Sequence, residues 1–337
     1  MAGLGIILLA LLLATTCYIL APDGSPYANR QIVEIGGRKP GTSFNFLLLK
    51  KERTVEQRGF FSRLIAGQED AWHYIPITTY HSTADSITVA EYRDEGLTET
   101  KTYARAAAAP QPIVRQTFWL GTDKFGRDIS SRIMLGTRVS LSVGLITVII
   151  SLTIGLTLGS LAGYFRGRTD SVIMWLINVI WSIPTLLLVF AITLALGRGF
   201  WQVFIAVGFT MWVNVARLVR GQVLAVRELE YVEAAKALGF SHARIIARHI
   251  WPNIMGPVIV IAASNFASAI VIEAGLSFLG IGVQPPQPSW GLMIKENYTY
   301  VITQNPILAL APGIAIMLLV LAFNLLGNGL RDALNVR

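Results

Sequence analysis

Several residues in this chain have types or spacings that could support chemistry. Gly121 and Gly126 are separated by four residues, the spacing of a phosphate-cradling loop, but Arg127 and Asp128 come next where such a loop needs Lys and then Ser or Thr. The lysine would neutralise phosphates and the hydroxyl would hold magnesium, so nucleotide binding of that kind is excluded. Of the four histidines, His73 and His81 lie in a polar segment and His242 and His249 in a charged hairpin. None has the H-E-x-x-H spacing of a zinc hydrolase, and the first pair reads more simply as surface residues than as metal ligands. Cys17 is the single cysteine, which rules out an internal disulfide and argues against redox chemistry. Glu273 is the one carboxylate well inside a long apolar run. A buried carboxylate there costs a few kcal/mol unless it meets water or a partner, which makes Glu273 a functional candidate, with Ser277 one helical turn on. No catalytic residue, metal site or cofactor site is predicted, so the chain is not expected to be an enzyme.

These residues sit in a chain of 337 residues that is 53% hydrophobic and only 14% charged, unlike an ordinary soluble domain. Charges gather before Arg138 and between Arg227 and Asn253. Apolar runs fill the remainder, several beyond the ~18 residues that suggest a membrane helix. Six spans are predicted, at residues 4–20, 140–164, 172–196, 200–218, 254–281 and 307–326. The expected fold class is therefore an all-α polytopic membrane protein. The first span (within residues 1–20) has no Lys or Arg before it and no clear cleavage site after it, so it reads as a membrane helix rather than a signal peptide. Pro184 predicts a kink in the third span. Gly155, Gly159 and Gly163, at four-residue spacing, predict close helix packing.

Residues 21–118 are polar and mixed, and residues 86–92 alternate like a strand. The length suits a small α+β or all-β insertion, with Ala106 to Pro112 read as a linker closing it. Residues 119–138 read as an amphipathic approach to the membrane, with Ile129, Ile133, Met134 and Leu135 on lipid and Arg127, Asp128 and Arg132 kept wet. Residues 139–337 then form a five-helix core.

Within that core, residues 227–253 form a polar hairpin. Helix formers from about Glu230 to Leu238 stop at Gly239, Ser241 is placed to cap a second helix over 242–250, and Pro252 opens the next span. Glu233, Ala234, Ala235 and Gly239 put small residues together, so another surface could approach closely. Solvated helices joining two spans are the plain alternative.

The order of residues adds to this. Glu233-Ala234-Ala235, three residues, Gly239, and later Pro252 resembles the signature loop of ABC importer permeases, with Trp251 as the one departure. Trp119-Leu120-Gly121-Thr122-Asp123, then Gly126-Arg127-Asp128, resembles the start of the dipeptide/oligopeptide permease core, as does Ser277-Phe278-Leu279-Gly280 through Pro288-Ser289-Trp290-Gly291. The resemblance covers Trp119 to the C-terminus. It implies a six-helix permease subunit of a type I ABC importer, placed in the inner membrane. A second permease subunit, two ATPase subunits that carry the ATP, and an extracytoplasmic solute-binding protein would be its partners. Glu233, Ala234, Ala235, Gly239 and Pro252 would couple it to the ATPase. Glu273 and Ser277 would lie on the translocation pathway or a subunit interface. Relatives of this family usually have a basic segment before the first span, so either a shortened N-terminus or a start codon placed too late is expected.

Charge supports one orientation. With the 21–118 insertion outside, Arg166, Arg168, Arg217, Arg220, the hairpin, Arg331 and Arg337 fall inside, while the short outer loops hold Arg198 and Lys295. The net charge of +8 then reflects basic inner loops and needs no nucleic acid. Peptide is the expected cargo; nickel or another small solute on the same machinery is the alternative. An ion-coupled secondary transporter would want more intramembrane ionisable groups than Glu273 alone.

Overall fold

The computed structural model describes residues 2–197, 199–301 and 305–334. Arg198 and Arg337 of the charge argument lie outside the described residues. In chain order the elements are α1 (Ala2–Leu20), β1 (Thr42–Lys50), α2 (Phe60–Ala66), β2 (Trp72–Ser82), β3 (Ser86–Asp94), β4 (Leu97–Ala104) and β5 (Ala108–Phe118). Next come α3 (Ile129–Phe165), α4 (Gly167–Trp181), α5 (Thr185–Leu196), α6 (Phe200–Val226), α7 (Glu230–Ala237), α8 (His242–Ile245), α9 (Trp251–Leu279), α10 (Trp290–Asn297) and α11 (Ile307–Leu334). Among the described residues, five helices are long and apolar enough to cross a membrane, and α4 with α5 makes a sixth span if that bent pair counts as one. The chain divides into two compact units.

The first unit comprises residues 1–10, 140–284 and 316–337. The Gly155, Gly159 and Gly163 row of α3 faces α6. A Cβ on these glycines would lie 2.5 Å from Val215 Cβ, 2.5 Å from the Ala216 carbonyl and 2.8 Å from Val223 Cβ, respectively. Only glycine permits that approach, so packing accounts for the row. Pro184 does more than kink a span. The chain breaks at Ser182 to Pro184, and α4 and α5 meet at 91°. Asp170 on α4 holds the Arg220 guanidinium of α6 through a two-point contact of 2.5 and 2.6 Å.

The second unit comprises residues 11–139 and 285–315. It holds a five-stranded antiparallel sheet in the order β4-β3-β2-β1-β5. Successive β1 side chains serve opposite faces. Phe46 and Leu48 pack with Ile35 and Phe118 on one, and Leu47 packs with Ile77, Ile87 and Val89 on the other. The expected linker at Ala106 to Pro112 is instead largely strand β5. It is an edge strand, where Pro110 and Pro112 cost fewer ladder hydrogen bonds. His73 and His81 are exposed.

The amphipathic reading of 119–138 is also corrected. Arg127, Asp128 and Arg132 are buried, and Ile129 and Leu135 pack inward rather than outward. Asp123 accepts from Arg127 Nε at 2.6 Å and from Arg132 Nη1 at 2.8 Å, and Glu296 takes both guanidiniums at 2.8 and 3.1 Å. These four charges pair inside the unit, which offsets much of the cost of leaving water, while Arg132 Nε stays buried without a hydrogen-bond partner among the described residues. The phosphate-loop glycines serve this packing. Gly126 sits against the Ile32 backbone so closely that a Cβ would be 1.7 Å from its carbonyl oxygen, at a φ of +72° that also favours glycine.

Candidate functional site

The hairpin begins where α6 ends, and its first arm, α7, stops as its sequence requires. Gly239 takes φ +77°, its N–H donates to the Lys236 carbonyl at 2.9 Å, and the Phe240 N–H donates to the Ala235 carbonyl at 3.2 Å. This pair of bonds is a Schellman stop. The second arm differs from expectation. Ser241 occupies the cap position without a side-chain cap bond. The helix from His242 does not end near Ile250 but passes through a wide turn over residues 246–250 and continues as α9. Pro252 lies in the first turn of α9 and, having no N–H, cannot continue the ladder from the preceding turn; the wide turn falls immediately before it.

The two arms close on an apolar seam. Val232 and Ala235 of the first arm meet Ile245, Ile246 and Ile250 of the second, and Val215, Val219 and Val223 of α6 join the same cluster. Polar bonds fix the mount. Tyr164 Oη pairs with His242 Nδ1 at 3.0 Å, Arg227 Nη1 donates to the Tyr164 carbonyl, and Trp251 Nε1 donates to Ser160 Oγ at 2.9 Å. The unusual Trp251 therefore reaches back into the protein rather than outward.

The small residues do not share one outward face. Ala235 is buried in the seam, whereas Glu233, Ala234 and Gly239 are exposed, and Leu238 beside them is 73% exposed. The reason is helical geometry: with Val232 buried, the position three residues on turns inward with it. Pro252 is exposed and borders an open groove of about 850 Å³ with Gly256 and Arg331. What the hairpin offers is a rigidly mounted tip, small at Ala234 and Gly239, acidic at Glu233 and apolar at Leu238.

Glu273 and Ser277, expected on a pathway or a subunit interface, lie in the chain's interior with no exposure. Ser277 Oγ donates to Glu273 Oε1 at 2.6 Å and accepts the Val283 N–H at 3.0 Å. Sequence reasoning missed Asn214 and Ser268, whose exposed side chains lie about halfway along α6 and α9. The signal that could have found Asn214 was a carboxamide inside an apolar run; the hydroxyl of Ser268 gives no such signal.

The comparisons agree with this architecture. Residues 155–337 match the family described as binding-protein-dependent transport system inner membrane component. The match spans more than half of the chain, and the chain belongs to that family. The glutathione transport system permease protein of Pectobacterium atrosepticum is 44% identical over 217 residues, covering 64% of this chain and 72% of the relative. The dipeptide transport system permease protein of Bacillus subtilis is 39% identical over 238 residues, covering 67% and 74%. Among solved structures, an inward-facing MetNI methionine ABC transporter chain superposes with a TM-score of 0.51 over 61% of this chain and 98% of its own. Its identity is 17%, so the likeness is one of fold.

Proposed function

We propose that this chain is the membrane-spanning permease subunit of an ATP-driven ABC importer for peptides. The observation that carries the reading is the mounted hairpin, a rigid tip built on the ends of α3, α6 and α9 in a chain about 40% identical to peptide permeases. ATP chemistry belongs to two separate ATPase subunits. Their docking cleft receives Glu233, Ala234, Leu238 and Gly239, with Pro252 at the base, while Ala235 acts from within by locking the arm to its seam. A second permease subunit completes the pathway, and an extracytoplasmic solute-binding protein delivers the cargo. The sheet lies on the same outer side, with the hairpin in the cytoplasm. Coupling is mechanical: ATPase closure moves the tip, the mount carries that motion into three spans, and the pathway alternates between its two openings.

The test is co-purification from mild detergent. Recovery of a second permease and two ATPases with the tagged chain, and their loss with Gly239→Asp, is the expected result. A chain that emerges alone, indifferent to the hairpin mutation, would point to a secondary transporter instead. Peptide uptake against nickel uptake by the recovered complex decides the cargo.

A further inference from the structure

The helices α5, α6 and α9 pack on one another, and beside the break at Pro184 they leave a cavity of about 210 Å³. Its wall includes Trp181, Thr185, Thr210, Asn214 and Ser268. Thr185, Asn214 and Ser268 are exposed, although they belong to otherwise apolar spans. Serine and threonine can return a hydroxyl proton to their own helix, as Thr210 does to the Val207 carbonyl at 2.8 Å. A carboxamide has two donors and an acceptor to satisfy. Against acyl chains its exposure would be costly, so this face turns toward water or a polar ligand. Arg217 is not part of the wall itself, but its guanidinium lies over the ring of the wall residue Trp181, 3.6 Å from the centroid. Stacking occupies the face of the guanidinium and leaves its in-plane N–H fork directed elsewhere.

We propose that this cavity is a substrate-contact site within the translocation pathway, built for a peptide's polar backbone and its terminal carboxylate; the proposal rests on the importer reading above. Asn214 both donates to and accepts from a peptide bond, Thr185 and Ser268 add hydroxyl partners, and Arg217 receives the carboxylate in a two-point contact. The cavity is smaller than the ~300–1,000 Å³ of a complete small-ligand pocket. It is therefore one wall of a site that the second permease closes. Because the groups it offers are hydroxyls and a carboxamide set among apolar side chains such as Ile183, Leu188, Met211 and Ile272, it contacts what all peptides share and leaves selection among them elsewhere.

The chain's single cysteine is buried, which makes a direct test possible. Cys17→Ser with Ser268→Cys, in membranes holding the assembled importer, provides one thiol in the cavity wall. A water-soluble methanethiosulfonate reagent should label it. A dipeptide with a free carboxylate should slow labelling several-fold, and the C-terminal amide should slow it much less. Arg217→Gln should erase the difference between the two peptides, with Arg217→Lys restoring part of it, and Asn214→Leu should remove protection by both. Absence of labelling would place this face against lipid or a subunit. Labelling that peptides do not slow, or an acid–amide difference that survives Arg217→Gln, would equally overturn the site. Peptide uptake by the same membranes separates the two levels. Uptake without protection defeats the cavity alone, whereas no peptide uptake by the unmodified importer defeats the underlying reading and this site with it.

Discussion

Ser277 joins Glu273 to the loop after α9: its hydroxyl donates to the carboxylate at 2.6 Å while its oxygen receives the Val283 N–H at 3.0 Å. The chain reverses tightly over the pair, with Ile281 and Gly282 N–H groups both directed at the Leu276 carbonyl. A Cβ on Gly282 would fall 2.1 Å from Ser277 Oγ and 2.4 Å from the Ser277 backbone nitrogen. Ser277→Ala should cost about 1–3 kcal/mol, the range for leaving a buried hydrogen-bonding partner unsatisfied. Gly282→Ala should cost about 1–3 kcal/mol through overpacking. Thermal unfolding in detergent measures both, and Glu273→Gln should reduce assembly or transport. Unchanged melting in all three variants would show the bracket to be idle.

Gly239 tests a different link. Nothing lies within 4 Å of the Cβ it lacks, so space is not the constraint; its φ of +77° is. Gly239→Ala should therefore cost about 1–2 kcal/mol of local strain and leave transport largely intact. Gly239→Asp adds a charge at the exposed tip and should abolish transport with normal amounts of protein in the membrane. Uptake assays beside quantitative blots decide this, and normal uptake by the aspartate variant would remove the docking role.

Removing Asp123 leaves Arg127 and Arg132 facing each other with only Glu296 between them. Both arginines are almost completely buried. Asp123→Asn should destabilise the protein by about 3–5 kcal/mol, as breaking a buried charge network does. A loss below about 1 kcal/mol in detergent melts would mean that water enters the network readily.

Asp128 gives a pH dependence. Burial holds its carboxyl above the usual range, against the opposing pull of the Ser131 hydroxyl and amide, and its Oδ1 is buried without a hydrogen-bond partner among the described residues. Folding thus favours the protonated form. The resulting stabilisation is complete below the ordinary carboxylate pKa of about 3.9 and is lost as pH rises through the raised value. Asp128→Asn keeps a side-chain acceptor at the start of α3 without that penalty. The variant should melt higher than the parent at about pH 8 and nearly equally at about pH 4. A lower melting point at the higher pH would show that the ionised carboxylate stabilises the helix start.

Residue order alone was enough for five of the six apolar spans, the stop at Gly239, the strand at 86–92 and the family. Each is a local property: a run long enough for a bilayer, a residue free to adopt positive φ, an alternation of period two. Which side of each element is covered came from packing between distant segments. Ala234 and Ala235 are chemically identical neighbours, and one is exposed while the other is sealed against Ile245, Ile246 and Ile250. Arg132 looks like an interfacial arginine until Glu296, 164 residues away, arrives to pair with it. Glu273 drew attention as a lone carboxylate, yet it is buried and bonded by Ser277, itself held by the Val283 amide, while the less conspicuous Asn214 lies open. Hydropathy reports what a residue would avoid; whether a neighbour arrives to satisfy it depends on contacts between positions that the chain's order keeps far apart.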